Sequence, residues 1–436
     1  MTNRVLMIAY HFPPLRGSSG IQRTLRFCRY LPEFGWHPVV LTAHPRAYDD
    51  VDMASVREIP AGVAVHRAFA LNTARHLSIR GRYPALLALP DRWSSWFAGA
   101  VTSGLSLIRR ERIGVIFSTY PIATAHLVGL ALRRLTGLPW IADFRDPMAQ
   151  DGYPADPRIH RSFEWIEQRA LLHCARALFT SPGAIRDYRQ RYPHVPAERY
   201  ALIENGYDEE VFAAAGANPE VSAAAAVGAN SGVPRERTVI LHSGIVYPSE
   251  RDPAPLFAAL GKLKRDGILD ARRVEFRFRA SGYDALLASL AAREDIADIV
   301  TLAQPVPYAE AVREMMDVDG LLLMQAANCN SQIPAKAYEY LRAGRPVLAL
   351  TDPAGDTGDL MRRAGADASA RLDSSSELLR VIPDFVARLA RGDARLPDAQ
   401  FASACSRRAR TRMLANELDR CLRVPYSGKI ARSSDR

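Results

Sequence analysis

Cysteine, long apolar runs and metal-ligand spacings are scarce in this 436-residue sequence. Its five cysteines (Cys28, Cys174, Cys329, Cys405 and Cys421) are scattered, odd in number and without a Cys-x-x-Cys pair. That pattern excludes a disulfide framework and a zinc site, and fits a reducing compartment. No secretory leader is visible: the first apolar run, residues 5–10, is too short, and no small-residue cleavage site follows it. The longest apolar stretch, residues 85–108, is interrupted by Asp91 and Arg92, which excludes a transmembrane helix. Within it Trp93, Trp96 and Phe97 suit either a membrane surface or ordinary core packing. RNA-recognition and zinc-finger signatures are missing, and no Asp-x-Asp stands in a loop that would hold a divalent ion.

What is present is positive charge and alternation. The net charge is +10, carried mostly by arginine. It suits nucleotide phosphates or acidic lipid head groups, and is equally the mark of an arginine-rich proteome. Apolar runs at residues 4–10, 38–42, 114–118, 140–144, 177–180 and 200–203 alternate with helical patterns. The alternation restarts at 238–242 and continues through 274–278, 299–302, 320–324 and 346–350. Buried strands alternating with helices predict an α/β fold of two successive, doubly wound parallel sheets. We place an N-terminal domain at 1–207 and a linker or insertion, rich in Ala and Gly, at 208–237. A C-terminal domain follows at 238–397. One long helix at 398–422 is expected to cross back to the first domain, before a disordered basic tail at 424–436.

In such sheets ligands bind beyond the carboxyl ends of the strands. Five loops there stand out. HFPPLRGSSGIQR (11–23) offers Gly17, Ser18, Ser19 and Gly20 for close backbone approach to a phosphate, with Arg16 and Arg23 as charge partners. DFRDP (143–147) sets Asp143, Arg145 and Asp146 at the end of an apolar strand, where charge is costly unless paired or used. ENGYD (204–208) reads as a turn with positive φ at Asn205-Gly206. SGIVYPSERD (243–252) brings Gly244 and Arg251. NCNSQIPAKAYEYLRAG (328–344) starts a helix near Pro334 and ends it at Gly344. Lys336 and Glu339 share a face of that helix. A cation in the first turn asks for an anion nearby. A Lys–Glu pair on a solvated face is the competing reading.

In this order and spacing the loops resemble the family 4 glycosyltransferases of the GT-B class, over nearly the whole chain. The first strand and glycine loop, LIENGYDEEVF, the VPYAEAVREMMDVDGLLLM block and KAYEYLRAGRPVLAL carry the likeness. The nearest subgroup is the bacterial enzymes of cell-surface polysaccharide assembly. The resemblance implies two Rossmann-like domains facing a cleft that closes on the substrates, with the donor mostly on the second. It implies transfer of a sugar from a nucleotide-sugar to a hydroxyl acceptor, with retention, and without a metal or other cofactor.

Residue by residue, the likeness puts Glu339 on the donor ribose and Lys336 and Arg251 near the diphosphate. Gly17 to Gly20 match the glycine loop, and Pro334 opens the donor helix. Arg145 and Asp146 fall where many relatives carry a catalytic His-Asp pair. Ser331 replaces a glutamate that contacts the transferred sugar, and Ile245 replaces a diphosphate-binding arginine. The implied partners are a nucleotide-sugar and a glycan or polyprenyl-linked acceptor, with an anionic membrane surface and no nucleic acid. The resemblance implies a cytoplasmic placement, with a lipid-linked acceptor drawing the chain to the inner face of the cell membrane. A non-catalytic nucleotide- or glycan-binding relative and a nucleotide-sugar epimerase remain the alternatives.

Overall fold

The computed structural model describes residues 3–17, 20–150, 152–216, 237–366 and 368–423. The chain forms two compact units: residues up to Glu204 with those from Arg408 onward, and Asn205–Arg407 between. Most of the expected insertion (217–236) and the basic tail lie outside the described residues.

The first unit is built on a seven-stranded sheet in the order β3-β2-β1-β4-β5-β6-β7. Its strands are β1 Asn3–Ala9, β2 Trp36–Ala43, β3 Ala64–Ala68, β4 Val115–Thr119, β5 Trp140–Asp143, β6 Arg176–Phe179 and β7 Tyr200–Leu202. Every pairing is parallel, as in Val5↔Val115 and Asn3↔Trp36. Side-chain alternation feeds two cores at once. Leu6 and Ile8 of β1 enter one cluster with Trp96, Val128 and Trp140, while Val5 and Met7 enter the other with Phe27, Phe117 and Leu414. That second face is covered partly by helix Arg407–Arg423, which contributes Leu414, Leu418 and Cys421. Polar ties hold the helix there: Arg176 to Glu417 at 2.6 Å, Arg410 to Glu204 at 2.6 Å, and Trp36 Nε1 to Asp419 at 2.9 Å.

The second unit repeats the plan with six parallel strands, in the order β10-β9-β8-β11-β12-β13. These are β8 Thr238–Ser243, β9 Val274–Arg279, β10 Val300–Ala303, β11 Gly320–Met324, β12 Val347–Leu350 and β13 Ser369–Ala370. Here Leu322 and Met324 of β11 face one core, and Leu321 and Leu323 the other. Both sheets reverse strand order once, between β1 and β4 and between β8 and β11. Each therefore opens a crevice beyond the carboxyl ends of that central pair.

Three expectations need correction. The C-terminal segment is two helices, Ala399–Ala404 and Arg407–Arg423, not one. At the break Arg407 donates its N–H to Tyr207 O (2.8 Å), and Ser406 makes an isolated parallel bridge with Tyr207, which interrupts the helical bonding. Gly206 is there for space rather than for a positive φ. A Cβ on it would stand 2.4 Å from the Cys405 carbonyl oxygen. The start of the expected linker, moreover, is helical over Glu209–Gly216, and Arg342 clamps Glu209.

Candidate functional site

In the second unit the central strands β8 and β11 end beside helix Ala335–Ala343. Pro334 is its N-cap, one residue before the first turn, with extended φ/ψ of −66° and 138°. Gly344 at φ +67° ends the helix in the left-handed conformation. The loop after β11 is braced on both sides. Gln325 Nε2 donates to the carbonyls of Cys329 (3.0 Å) and Gln332 (3.1 Å), and Thr357 Oγ1 donates to Gln332 O at 3.0 Å. It is also fastened to the loop after β8, through Ala326 N–H to Glu250 O at 2.7 Å and Asn328 Nδ2 to Ser249 O at 2.8 Å. Both loops at the switch point thus form one wall.

Lys336 occupies the first turn of that helix. Its Nζ lies 3.0 Å from His242 Nε2 at the end of β8. His242 Nδ1 is 2.9 Å from Leu322 O, so the buried ring donates there, and Nε2 is left as the acceptor of the lysine's proton. Burial, and then the Lys336 charge, hold His242 well below the ordinary histidine range. Burial, and then the Arg251 guanidinium, pull Lys336 down to about 7, with Glu339 opposing. Gly244 makes room for this. Its φ is +102°, and a Cβ there would come within 3.3 Å of Nζ. Arg251 lies along the same loop, its Nη1 donating to Ile245 O at 2.9 Å and its guanidinium over the Tyr247 ring. One turn beyond Lys336, Glu339 is partly exposed and accepts a hydrogen bond from Tyr308 Oη at 2.7 Å. Ser331 sits in the loop before Pro334, next to Asn330, whose amide reaches Asp352 at 2.7 Å. Gly244, Arg251, Ser331, Pro334, Lys336 and Glu339 therefore meet at one sheet end.

The first unit places its predicted residues differently. Ser18 and Ser19 lie outside the described residues; Gly17, at φ +78°, and Gly20, the first residue of helix Gly20–Tyr30, flank them. Arg23 is buried (7% exposed) and turned inward, which corrects its reading as a donor contact. It grips Asp143 through Nε (3.0 Å) and Nη2 (2.9 Å), and donates to the carbonyls of Ile203 (2.9 Å) and Glu204 (3.2 Å). Four of its five N–H groups are spent inside the fold. Asp143 also accepts from Thr119 Oγ1 at 2.8 Å.

Arg145 and Asp146 form an ion pair at 3.4 Å, with the carboxylate 59% exposed and the guanidinium 9%. Arg145 holds a φ of +24°, a strained value for any residue with a Cβ, and Thr180 Oγ1 donates to its carbonyl. His11, two residues after β1, lies within electrostatic reach of this arginine. Burial, and then the Arg145 charge, lower its pKa to about 4, so it is neutral at pH 7. Sequence reasoning passed over His11, Tyr308 and His242, although each closely follows or ends a core strand.

Trp96 is fully buried, and Trp93 packs on Tyr10 with ring centroids 5.1 Å apart. These two rings thus serve the core rather than a membrane surface. No helix among the described residues is long and apolar enough to cross a membrane.

Comparison with known proteins agrees with this architecture. Residues 19–206 match the model of the glycosyl transferase 4-like domain. A D-inositol 3-phosphate glycosyltransferase of Thermobispora bispora is 25% identical over 375 residues, covering 80% of this chain and 79% of its own. The HepE protein of Anabaena, solved in complex with UDP, superposes with a TM-score of 0.66 at 14% identity, over 96% of this chain and all of that one. Sucrose-phosphate synthase of Thermosynechococcus elongatus superposes with a TM-score of 0.60 at 14% identity, over 97% and 98% of the two chains.

Proposed function

We propose that this chain, a family 4-like glycosyltransferase with the GT-B fold, moves a sugar from a nucleotide-sugar to a hydroxyl on a lipid-linked or polysaccharide glycan, with retention of configuration. The observation that carries the donor half is Lys336. Its ammonium is partly buried at the switch point beside a neutral histidine and a second cation, in the first turn of a helix. A helix N-terminus and a cation disfavour each other, and an anion satisfies both. The β-phosphate of a nucleoside diphosphate is such an anion. When the glycosidic bond breaks, negative charge builds on its oxygens. Lys336, Arg251 and the first N–H groups of helix Ala335–Ala343 stabilise that charge without reorganising. The charge is met by the chain's own groups, so the reading assigns no step to a metal. Glu339, pre-oriented by Tyr308, accepts from the ribose hydroxyls.

The acceptor is assigned to the first unit, where His11, Arg145 and Asp146 gather at the carboxyl end of its sheet. Arg145 cannot serve as a base, being always protonated. Asp146 and neutral His11 can orient a hydroxyl. That UDP binds HepE, and that the Thermobispora relative acts as a glycosyltransferase, supports a nucleotide-sugar donor.

The test is a thermal-shift panel of UDP, GDP, TDP, ADP and their common sugar conjugates, on wild type and Glu339→Ala. A ligand at a hundred times its Kd stabilises by roughly 2.7 kcal/mol. One nucleotide shifting wild type but not the variant supports the reading, and no shift from any of them overturns it. Release of free nucleoside diphosphate only when an acceptor is present separates a transferase from an epimerase and from a binder.

A further inference from the structure

A stretch of the first unit is apolar, ordered and open to solvent, and no role assigned above uses it. Helix Thr73–His76 is followed by a tight turn, in which Ile79 and Arg82 exchange two backbone hydrogen bonds of 2.8 and 3.0 Å. The two residues at its tip, Arg80 and Gly81, have φ of +51° and +75°, as a two-residue hairpin requires. A short 3-10 turn, Ala85–Ala88, comes next. Residues 79–87 are all exposed, among them Ile79 at 79%, Leu86 at 78% and Leu87 at 43%. The backbone beneath them is pinned. Leu87 O accepts from both Thr73 Oγ1 (2.8 Å) and Ser94 Oγ (2.7 Å), and Thr73 N–H donates to Arg92 O at 2.8 Å. A fixed scaffold thus displays bare aliphatic side chains, and such patches mark interaction sites.

We propose that this hairpin and turn, residues 77–87, dock the chain on an anionic lipid surface. Charge selects that occupant. From Ile59 to Pro90 the sequence has no Asp or Glu, but it carries Arg67, Arg75, Arg80 and Arg82. Arg80 and Arg82 alternate with the exposed apolar residues. The nearest carboxylates along the chain and its partners are engaged: Asp91 accepts from Thr124, and Asp49 from Arg92 and Asn72. A second copy meeting the patch about a twofold axis would press these arginines against themselves. A bilayer with acidic head groups takes the aliphatic tips into its boundary and the guanidiniums at its surface, with Tyr83 at the level it favours. The docking element deepens the lipid-linked acceptor reading, and the test keeps the two apart.

The full chain is sedimented at physiological salt with phosphatidylcholine vesicles, with and without phosphatidylglycerol. Alongside it go Ile79→Asp/Leu86→Asp and Arg80→Glu/Arg82→Glu, after melting curves show that both are folded. Wild type is expected to bind the anionic vesicles about tenfold or more above the neutral ones. The aliphatic variant is expected to lose that binding. The arginine variant is expected to lose at least roughly fivefold per residue and to become insensitive to salt. Nucleotide-induced thermal shifts should be the same in all three. Equal binding to neutral vesicles, unchanged binding by both variants, or a dimer in light scattering that the aliphatic variant dissolves would each overturn the proposal. No vesicle binding by wild type, with its nucleotide shift intact, would overturn the docking proposal and leave the donor reading standing.

Discussion

Binding of a nucleoside diphosphate should draw a proton out of solution, and the size of that uptake tests the Lys336 argument directly. With a pKa of about 7, unliganded Lys336 carries its charge on only about one tenth of molecules at pH 8. A bound β-phosphate near Nζ favours the charged form. Once the bound pKa stands above about 9, binding at pH 8 takes up roughly 0.8 to 0.9 proton. The affinity is then flat below pH 7 and falls by up to about tenfold per pH unit above it. Other groups contribute little. His11 and His242 are both held below the ordinary range and are neutral throughout this window. Isothermal titration with UDP at pH 8, in buffers of different ionisation enthalpy, measures the uptake. Lys336→Met should abolish it and weaken binding. Lys336→Arg, permanently charged, should abolish it too. Zero uptake by wild type, or the same uptake by Lys336→Met, would refute the reasoning.

The same lysine should shape stability without ligand. The unfolded chain keeps its proton up to about 10.5 and the folded chain only to about 7, so unfolding free energy should rise with pH between those values, and Lys336→Met should flatten the rise in urea titrations. Glu339→Ala should weaken nucleotide binding by roughly 10- to 100-fold, and Tyr308→Phe by about 2- to 10-fold, both read by titration calorimetry with melting temperatures near wild type. Arg23→Met strands the buried Asp143 carboxylate and should cost about 3–5 kcal/mol, while Arg23→Met/Asp143→Leu should recover much of it. A loss under about 1 kcal/mol for the single variant would show the clasp to be dispensable. Gly206→Ala forces a Cβ onto the Cys405 carbonyl and should destabilise by about 1–3 kcal/mol in the same urea assay.

Much of this architecture was legible because parallel strands covered on both faces are written as unbroken apolar runs. RVLMIAY, WIADF and TVILH announce themselves, and the loops that follow them are then the places to look for chemistry. Elements outside that rule were missed. β3 reads AVHRA, an edge strand with only Ala68 fully buried, and β13 is two residues long. Helix Ser375–Arg391 carries Pro383 in its interior, which breaks the expected pattern. The inward turn of Arg23 could not be read either, since its partner Asp143 lies 120 residues away. One signal was available and unused. The chain has four lysines (Lys262, Lys264, Lys336 and Lys429) against 57 basic residues in all. In so arginine-rich a sequence, a lysine retained in the first turn of an apolar helix argues for a compact ammonium where a guanidinium would not fit.

The two sheets, alike in order, differ in how charge is settled at their carboxyl ends, and this is the strongest ground for putting the donor on the second unit. In the first unit Asp143 takes two hydrogen bonds from Arg23 and one from Thr119, so a buried cation and a buried anion cancel inside the fold. Such a pair holds β5 to the carbonyls that follow β7 and leaves no net charge for a ligand. In the second unit the partly buried Lys336 has a neutral imidazole at 3.0 Å as its hydrogen-bond partner, and Arg251 adds repulsion. The nearby carboxylate, Glu339, already accepts a hydrogen bond from Tyr308. A partly buried cation without a matching anion is costly to keep unless something supplies one. On the proposed reading a bound diphosphate would supply it. Gly244 supports the same view: its Cβ-free backbone keeps open the space around Nζ that any larger residue would close.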